Sequence, residues 1–336
     1  VKPIVTAQIG VGRWGKNILR NMAEIPESKL KWAVDYTPLL LEQVKHHYPQ
    51  VQTSHHAKDI FEDPEVQAVV IASPAASHFE LAKVALLSGK HVFIEKPIVL
   101  KLEHLEELNL IAQSKNLIVM EGHLLLYHPA VVAMKAAMQA GKIGELTHLF
   151  FRRTALGAIR FHENAMWDFA PHDFSVMYYL NDEEPQQIQS SGGSYFQKAI
   201  EEVVFTNVHF KSGIVSHFHE SWLSPFKERQ VIAVGREAML VMDELATDGK
   251  LKLVKRKAVP NLQASNESEK FKYSDEGFEV LPIGSEEPLR AECQHFLQCV
   301  ASGKAPRSDY HESKRVLKTL LAAQESISQK GGPIIF

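Results

Sequence analysis

One segment constrains this chain more than any other. Gly10-Val11-Gly12-Arg13-Trp14-Gly15 follows a short apolar run at residues 4–9 and opens a stretch of helical period. In that setting the three glycines have separate tasks. The first permits a tight turn, the second lets the backbone approach a pyrophosphate, and the third lets helix pack on strand. The helix N-terminus adds free N–H groups and the positive end of its dipole. The motif therefore reads as a dinucleotide site made by Gly10, Gly12, Arg13, Trp14 and Gly15. A glycine-rich turn without a ligand is the plain alternative, and the strand-before-helix context argues against it.

Asp35 ends the second apolar run, about twenty residues past Gly15, where an acid accepts hydrogen bonds from ribose hydroxyls. Its charge would repel a 2′-phosphate, and Tyr36-Thr37-Pro38 bring no Lys or Arg. NAD is expected rather than NADP. Asp35 can also cap the following helix, and the two roles are compatible.

The 336 residues, 45% apolar and 23% charged, suffice for two ordinary cores. Over residues 1–121, β-rich runs at 4–9, 30–34, 68–72, 91–94 and 117–120 alternate with amphipathic stretches such as 79–87 and 102–111. That alternation predicts a five-stranded, doubly wound parallel sheet, a Rossmann fold. A helix is expected from Pro129 to Gln139. After it come alternating strands at 146–151, 188–190, 203–210, 214–219, 230–234 and 239–242, which predict a mostly antiparallel sheet. Residues 261–274 read as a loop, and 289–301 and 312–326 as closing helices. The fold class is α/β followed by α+β: residues 1–124 as an NAD-binding domain, and 125–336 as a substrate-binding and oligomerisation domain. The apolar alternation at 203–210 and 214–219 leaves a sheet face to cover, so a homodimer or homotetramer is expected.

Other classes are excluded. A net charge of −3 offers no field for nucleic acid. No run approaches the roughly 18 apolar residues of a membrane span, and residues 1–12 lack the basic flank of a signal peptide. Cys293 and Cys299 are six apart on a helical stretch and poorly placed to bridge. These features fit a reducing, cytoplasmic setting. The histidines at 46–47, 55–56, 217 and 219 lack companions at ligand spacing, so no metal is expected. Ser221, Ser224 and the cysteines lack the setting of a covalent nucleophile.

Three further motifs carry a family resemblance. Ser73-Pro74-Ala75-Ala76-Ser77-His78, Gly89-Lys90-His91-Val92-Phe93-Ile94-Glu95-Lys96-Pro97 and Trp167-Asp168-Phe169-Ala170-Pro171-His172-Asp173 resemble the Gfo/Idh/MocA family of sugar and polyol oxidoreductases. The resemblance implies cofactor contacts from Ser73, Pro74 and His78. It also implies a catalytic Lys96 reaching the substrate hydroxyl, a substrate-binding Asp168 and a catalytic His172. Glu95 either pairs with Lys96 or touches the cofactor. The residue types suit the chemistry: a cation stabilises a developing alkoxide, and histidine titrates near neutrality. Asp168 and His172 share a helix face at i, i+4, with Pro171 expected in the helix's first turn. An ordinary surface lysine and a capping or core histidine are the bland alternatives. Asp173 follows the family pattern as well, although a carboxylate near a helix N-terminus is stabilising without any catalysis.

Arg152, Arg153 and Arg160, with Glu163-Asn164 and residues 288–296, look like the bacterial branch acting on nucleotide-linked sugars. Arg153, Arg160 and Asp173 are thus candidate substrate contacts, since guanidinium groups bind phosphate bidentately. Leu124-Leu125-Leu126-Tyr127 stands where many relatives acting on free sugars carry arginine before the aromatic. The expected activity is NAD-dependent hydride transfer at a secondary alcohol or ketone of a nucleotide-diphosphate sugar. A free-sugar or inositol-type substrate is the alternative, and a non-catalytic NAD-sensing regulator is the non-enzymatic one.

Overall fold

The computed structural model describes residues 2–157 and 159–336; Val1, the first residue of the expected NAD-binding domain, and Ala158 lie outside the described residues. The chain divides into two compact units: Val1–Tyr127 with Glu286–Lys318, and His128–Ser285 with Thr319–Phe336.

In the first unit β1 (Ile4–Ile9) is buried at all six positions, as a central parallel strand must be when crossover helices cover the sheet. It is followed by α1 (Gly15–Glu24), β2 (Ser28–Val34), α2 (Pro38–His47), β3 (Gln52–Ser54), α3 (Lys58–Glu62), β4 (Ala68–Ile71), α4 (His78–Leu87), β5 (His91–Glu95), α5 (Leu102–Lys115) and β6 (Val119–Gly122). The strands run parallel in the order β3-β2-β1-β4-β5-β6. The order reverses at β1, so the carboxyl ends of β1 and β4 flank the switch point where such sheets bind ligands. There are six strands, where five were expected. The extra one, β3, has three residues, and only pairing with Trp32–Val34 makes it a strand.

The second unit holds α6 (Pro129–Gln139), β7 (Leu146–Leu156), α7 (Ala165–Leu180), β8 (Pro185–Gly193), β9 (Val203–Phe210), β10 (Val215–Ser221), β11 (Leu223–Gly235), β12 (Met239–Asp243), β13 (Leu251–Pro260) and β14 (Phe271–Val280). Then come α8 (Pro288–Ser302), α9 (Tyr310–Ser328) and β15 (Ile334–Ile335). Nine strands form one sheet in the order β14-β13-β12-β11-β7-β10-β9-β8-β15. Every neighbouring pair is antiparallel except β7 and β10. The expected loop at 261–274 is corrected at its end: Phe271–Ser274 belong to β14, an edge strand whose side chains are mostly solvated and so lack an apolar alternation.

α8 packs with the first unit. Its N-cap, Glu287, pairs with Arg20 of α1 and accepts from Asn21 Nδ2 at 3.1 Å, and Phe296 meets Phe93 of β5 ring to ring at 5.7 Å. The division between units then falls inside α9, between Lys318 and Thr319.

Candidate active site

The glycine loop has the shape its sequence demands. Gly10 sits at φ +90°, and a Cβ there would lie 2.6 Å from the Ala72 carbonyl; a Cβ at Gly15 would collide with the Gly10 carbonyl oxygen. At Gly12 a Cβ would meet nothing within 4 Å, leaving the open space that a pyrophosphate needs. Sequence reasoning missed what stitches the loop. Gln8, buried within β1, donates from Nε2 to the Gly10 and Gly15 carbonyls at 2.8 and 2.7 Å. A glutamine in an otherwise mostly apolar strand, two residues before a glycine turn, was the available signal.

Asp35 accepts the Val11 N–H at 2.9 Å through Oδ2 and the Thr37 N–H at 2.9 Å through Oδ1. Thr37, not Asp35, is the N-cap of α2. The carboxylate is thus fixed beside the glycine loop. Arg13 and Trp14 are exposed between the glycines, and Trp14 Nε1 donates to Glu95 Oε1 at 2.7 Å.

Ser73 and Pro74 follow β4, and the Ser73 and Ser77 hydroxyls lie 2.7 Å apart. His78, expected to touch the cofactor, is corrected: it is 1% exposed, with its ring nitrogens 2.9 Å from the Pro97 carbonyl oxygen and 2.8 Å from that of Ser73. Burial pushes its pKa down. It ties the loop after β4 to the loop after β5.

Lys96 follows β5 directly, half-buried, joined to Pro97 by a cis peptide bond. Behind it lies a cluster that sequence reasoning did not find. Glu121 accepts the Ile98 N–H at 2.9 Å, and its other oxygen is 3.0 Å from His123 Nε2, with both side chains buried. Burial pushes the Glu121 carboxyl up, but His123, Ser313 and the Ile98 amide together hold it below the ordinary carboxylate range. Burial pushes Glu95 up despite Trp14.

In the second unit, α7 starts earlier than expected. Asn164 caps it, accepting the Trp167 N–H at 3.1 Å, so Pro171 lies inside the helix and not in its first turn. Proline supplies no N–H there, which removes the intrahelical bond that position 171 would otherwise donate to the Trp167 carbonyl. Asp168, in the first turn, is almost buried. Its Oδ2 accepts from Trp222 Nε1 at 3.1 Å and faces Arg160 Nε at 3.5 Å. Trp222, from a position between β10 and β11, is a further residue that sequence reasoning missed.

Arg153 and Asp173 are corrected as substrate contacts. Both are buried, and the guanidinium grips the carboxylate bidentately at 2.8–3.1 Å while Nη2 also reaches Glu244 at 3.2 Å. Burial opposes the charge on Arg153, yet Asp173 and Glu244 hold its pKa above the ordinary range. With its fork taken, Arg153 anchors α7 to the sheet. Glu220, in register with Arg153, is fully buried, and burial followed by the charge of Asp173 raises its pKa well above the usual range. Cys293 and Cys299 are buried thiols. Among the described residues no His, Cys, Asp and Glu group is arranged to hold a metal, and no helix is long and apolar enough to cross a membrane.

Residues 4–123 match the Gfo/Idh/MocA oxidoreductase family with its NAD-binding Rossmann fold, and residues 131–241 match the C-terminal domain of the same family. The chain belongs to the Gfo/Idh/MocA family. It is an NAD-dependent oxidoreductase, and the glycine loop with Asp35 is a surface that NAD fits. The chain is 25% identical to the scyllo-inositol 2-dehydrogenase (NAD(+)) of Bacillus subtilis over 89% of its length and 87% of that protein. It is 26% identical to the UDP-N-acetylglucosamine 3-dehydrogenase of Acidithiobacillus ferrooxidans over 78% of its length and 79% of that protein. The latter's solved structure superposes with a TM-score of 0.82 at 22% identity, covering 98% of this chain and 99% of that one, a likeness of fold.

Proposed function

We propose that this family member transfers hydride between NAD and a secondary alcohol or ketone of a sugar carried on a nucleoside diphosphate. The observation that carries the reading is on α7, where Asp168 and His172 share a face at i, i+4 and Trp222 and Arg160 converge on the Asp168 carboxylate. Bound at the glycine loop, NAD supplies the carbon that accepts or returns hydride. Asp35 receives the ribose hydroxyls, and Gly12 leaves room for the pyrophosphate. Asp168 orients a substrate hydroxyl, His172 takes its proton at an imidazole nitrogen, and the Lys96 ammonium stabilises the alkoxide as it forms. In reduction the same groups return the proton.

Arg160, with 42% of its side chain exposed, offers its guanidinium to a diphosphate. A relative named for a UDP-sugar supports this reading. So does Leu126, a buried apolar side chain in the Leu124–Tyr127 stretch where the family resemblance implies arginine in many members acting on free sugars. The inositol-type reading is favoured instead by the Bacillus subtilis relative, which matches more of the chain. The presence of Lys96, Asp168 and His172 together speaks for catalysis over a regulator that only senses NAD. The test is a panel of UDP- and TDP-sugars, free sugars and inositols with NAD, followed at the nicotinamide absorbance. Turnover of a nucleotide sugar well above any free polyol is expected. Oxidation of an inositol alone would move the second reading ahead, and NAD binding with no turnover would favour the regulator.

A further inference from the structure

The second unit carries a rigid aromatic loop for which packing gives no reason. Residues 194–202 join β8 to β9, and Glu202 is fully buried at the end of that connection. A buried carboxylate is costly unless its oxygens are bonded. Glu202 accepts three successive backbone N–H groups, from Tyr195 at 2.6 Å, Phe196 at 3.2 Å and Gln197 at 2.9 Å. Three amides closing on one anion form a nest that fixes the backbone. The side chains it carries nevertheless face water: Tyr195 is 71% and Phe196 74% exposed. Their neighbour is fixed as well, since Gln197 Nε2 donates to the Arg160 carbonyl at 2.6 Å, and the next residue, Phe161, is 75% exposed.

This group lies at one end of the nine-stranded sheet. Register pairs Gly193 with Val203, Val203 with Ser221 and Ser221 with Thr154, so β7, β8 and β10 finish where β9 starts. Asp168 is held at the same end. The Trp222 N–H donates to the Glu202 carbonyl at 2.9 Å while its indole N–H holds Asp168, and the Ala165 N–H, at the start of α7, donates to the Glu201 carbonyl at 2.9 Å. One short segment therefore fixes the residue proposed to orient the sugar hydroxyl and carries exposed rings on the loop whose Gln197 bonds to the Arg160 backbone.

We infer that this loop is a subsite for the nucleoside diphosphate portion of the substrate, with Arg160 taking the diphosphate and Tyr195 and Phe196 stacking on the base. The inference rests on the nucleotide-sugar reading above. Its chemistry is specific to an anion with an aromatic group attached: planar rings stack on any base, and a guanidinium matches phosphate oxygens bidentately. Preorganisation by Glu202 means that little ordering remains to oppose binding.

Titration of UDP into the full chain saturated with NAD, alongside uridine and inorganic pyrophosphate, tests it. UDP binds more tightly than either fragment. Tyr195→Ala with Phe196→Ala lowers affinity for UDP and uridine by about tenfold or more and leaves pyrophosphate unchanged, the scale of one lost base stack. Arg160→Ala lowers affinity for UDP and pyrophosphate and spares uridine. Gln197→Ala, which releases Arg160 without touching Glu202, weakens UDP with Tm and NAD affinity retained, so the result does not depend on whether Glu202→Gln folds. UDP binding that is equal in wild type and all these variants overturns the subsite, even if a UDP-sugar is turned over. Absence of UDP binding together with oxidation of a free polyol overturns the nucleotide-sugar reading as well. If the aromatic double variant instead lowers the subunit number in light scattering with UDP affinity unchanged, the rings belong to an interface between copies and the subsite is wrong.

Discussion

Trp222 Nε1 donates to Asp168 Oδ2 across 3.1 Å, and both side chains are buried. A hydrogen bond to a charged acceptor contributes about 1.5–3 kcal/mol, enough to set where the carboxylate points. Trp222→Phe keeps most of the bulk and removes the donor. It is expected to raise KM for the sugar about tenfold or more while leaving NAD affinity and most of kcat, because Asp168 remains but is aimed less well. Asp168→Ala should raise KM further and lower kcat too. Steady-state kinetics on both variants check the order. A Trp222→Phe enzyme with wild-type KM would mean that the bond serves packing alone.

Asp35 bears on cofactor choice through geometry visible within one unit. Its carboxylate is held by Val11 and Thr37 N–H groups beside the glycine loop, so its charge cannot swing away from a 2′-phosphate. NAD should bind more tightly than NADP, and Asp35→Ala should narrow the gap by weakening NAD and relieving repulsion of NADP. Fluorescence titration of both cofactors measures this. Equal affinities in the wild type would remove Asp35 as the selector.

Much of this was legible in the chain because the signals are local. Gly10, Gly12, Gly15 and Asp35 announce themselves by spacing, and the buried β1, β4 and β5 are short apolar runs with clear punctuation. The strand β3 was not legible, because Gln52–Ser54 have no apolar pattern and exist as a strand only through β2. β14 escaped for the same reason at an edge of the nine-stranded sheet. The roles of Arg153 and Asp173 were misread because an exposed phosphate-binding arginine and a buried paired one have the same letter, and the partner Glu244 is far away in sequence. Gln8, Trp222 and Glu202 act through contacts that exist only once the strands are in register.

On β9 and β10, Phe205, His217 and His219 stack with Phe150 on one face, at ring separations of 4.5 Å for Phe205 and His219 and 5.2 Å for Phe150 and His217. Phe205 is 40% exposed. A sheet face of stacked rings is poorly matched to water and well matched to a second copy of itself. A homodimer, or a tetramer built from dimers, is expected, and Phe205→Glu should shift it toward monomer. Light scattering at working concentration decides this, and a monomeric wild type would contradict it.

Glu220 makes stability depend on pH in a defined direction. Its folded-state pKa lies well above the ordinary 4.5, chiefly through burial and then through Asp173, with Arg153 opposing. Below about pH 4.5 the carboxyl is protonated folded or unfolded, and no penalty arises. Above it the unfolded chain releases a proton that the folded chain keeps, so stability falls by up to about 1.4 kcal/mol per pH unit until the raised pKa is passed. Glu220→Gln removes that titration. Its Tm relative to wild type should therefore climb between pH 4.5 and neutrality. A difference that stays flat over that range would mean that Glu220 is ionised in the fold.

The last prediction separates binding from chemistry. Lys96 follows β5 next to the Glu95 that Trp14 holds, and His172 sits on α7 one turn beyond Asp168. Neither is a residue of the glycine loop or its Asp35, so replacing either should leave NAD affinity near the wild-type value. Both are assigned the hydroxyl proton or the alkoxide it leaves, and loss of such a group typically slows the chemical step about 10²-fold or more. Lys96→Ala and His172→Ala should each lower kcat on that scale with modest change in KM. The double variant should fall well short of the product of the two effects, because the groups serve one proton transfer. Single-turnover measurements with NAD and the substrate found in the panel report the chemical step directly. Near wild-type turnover in both single variants would place the acid–base chemistry elsewhere in the molecule.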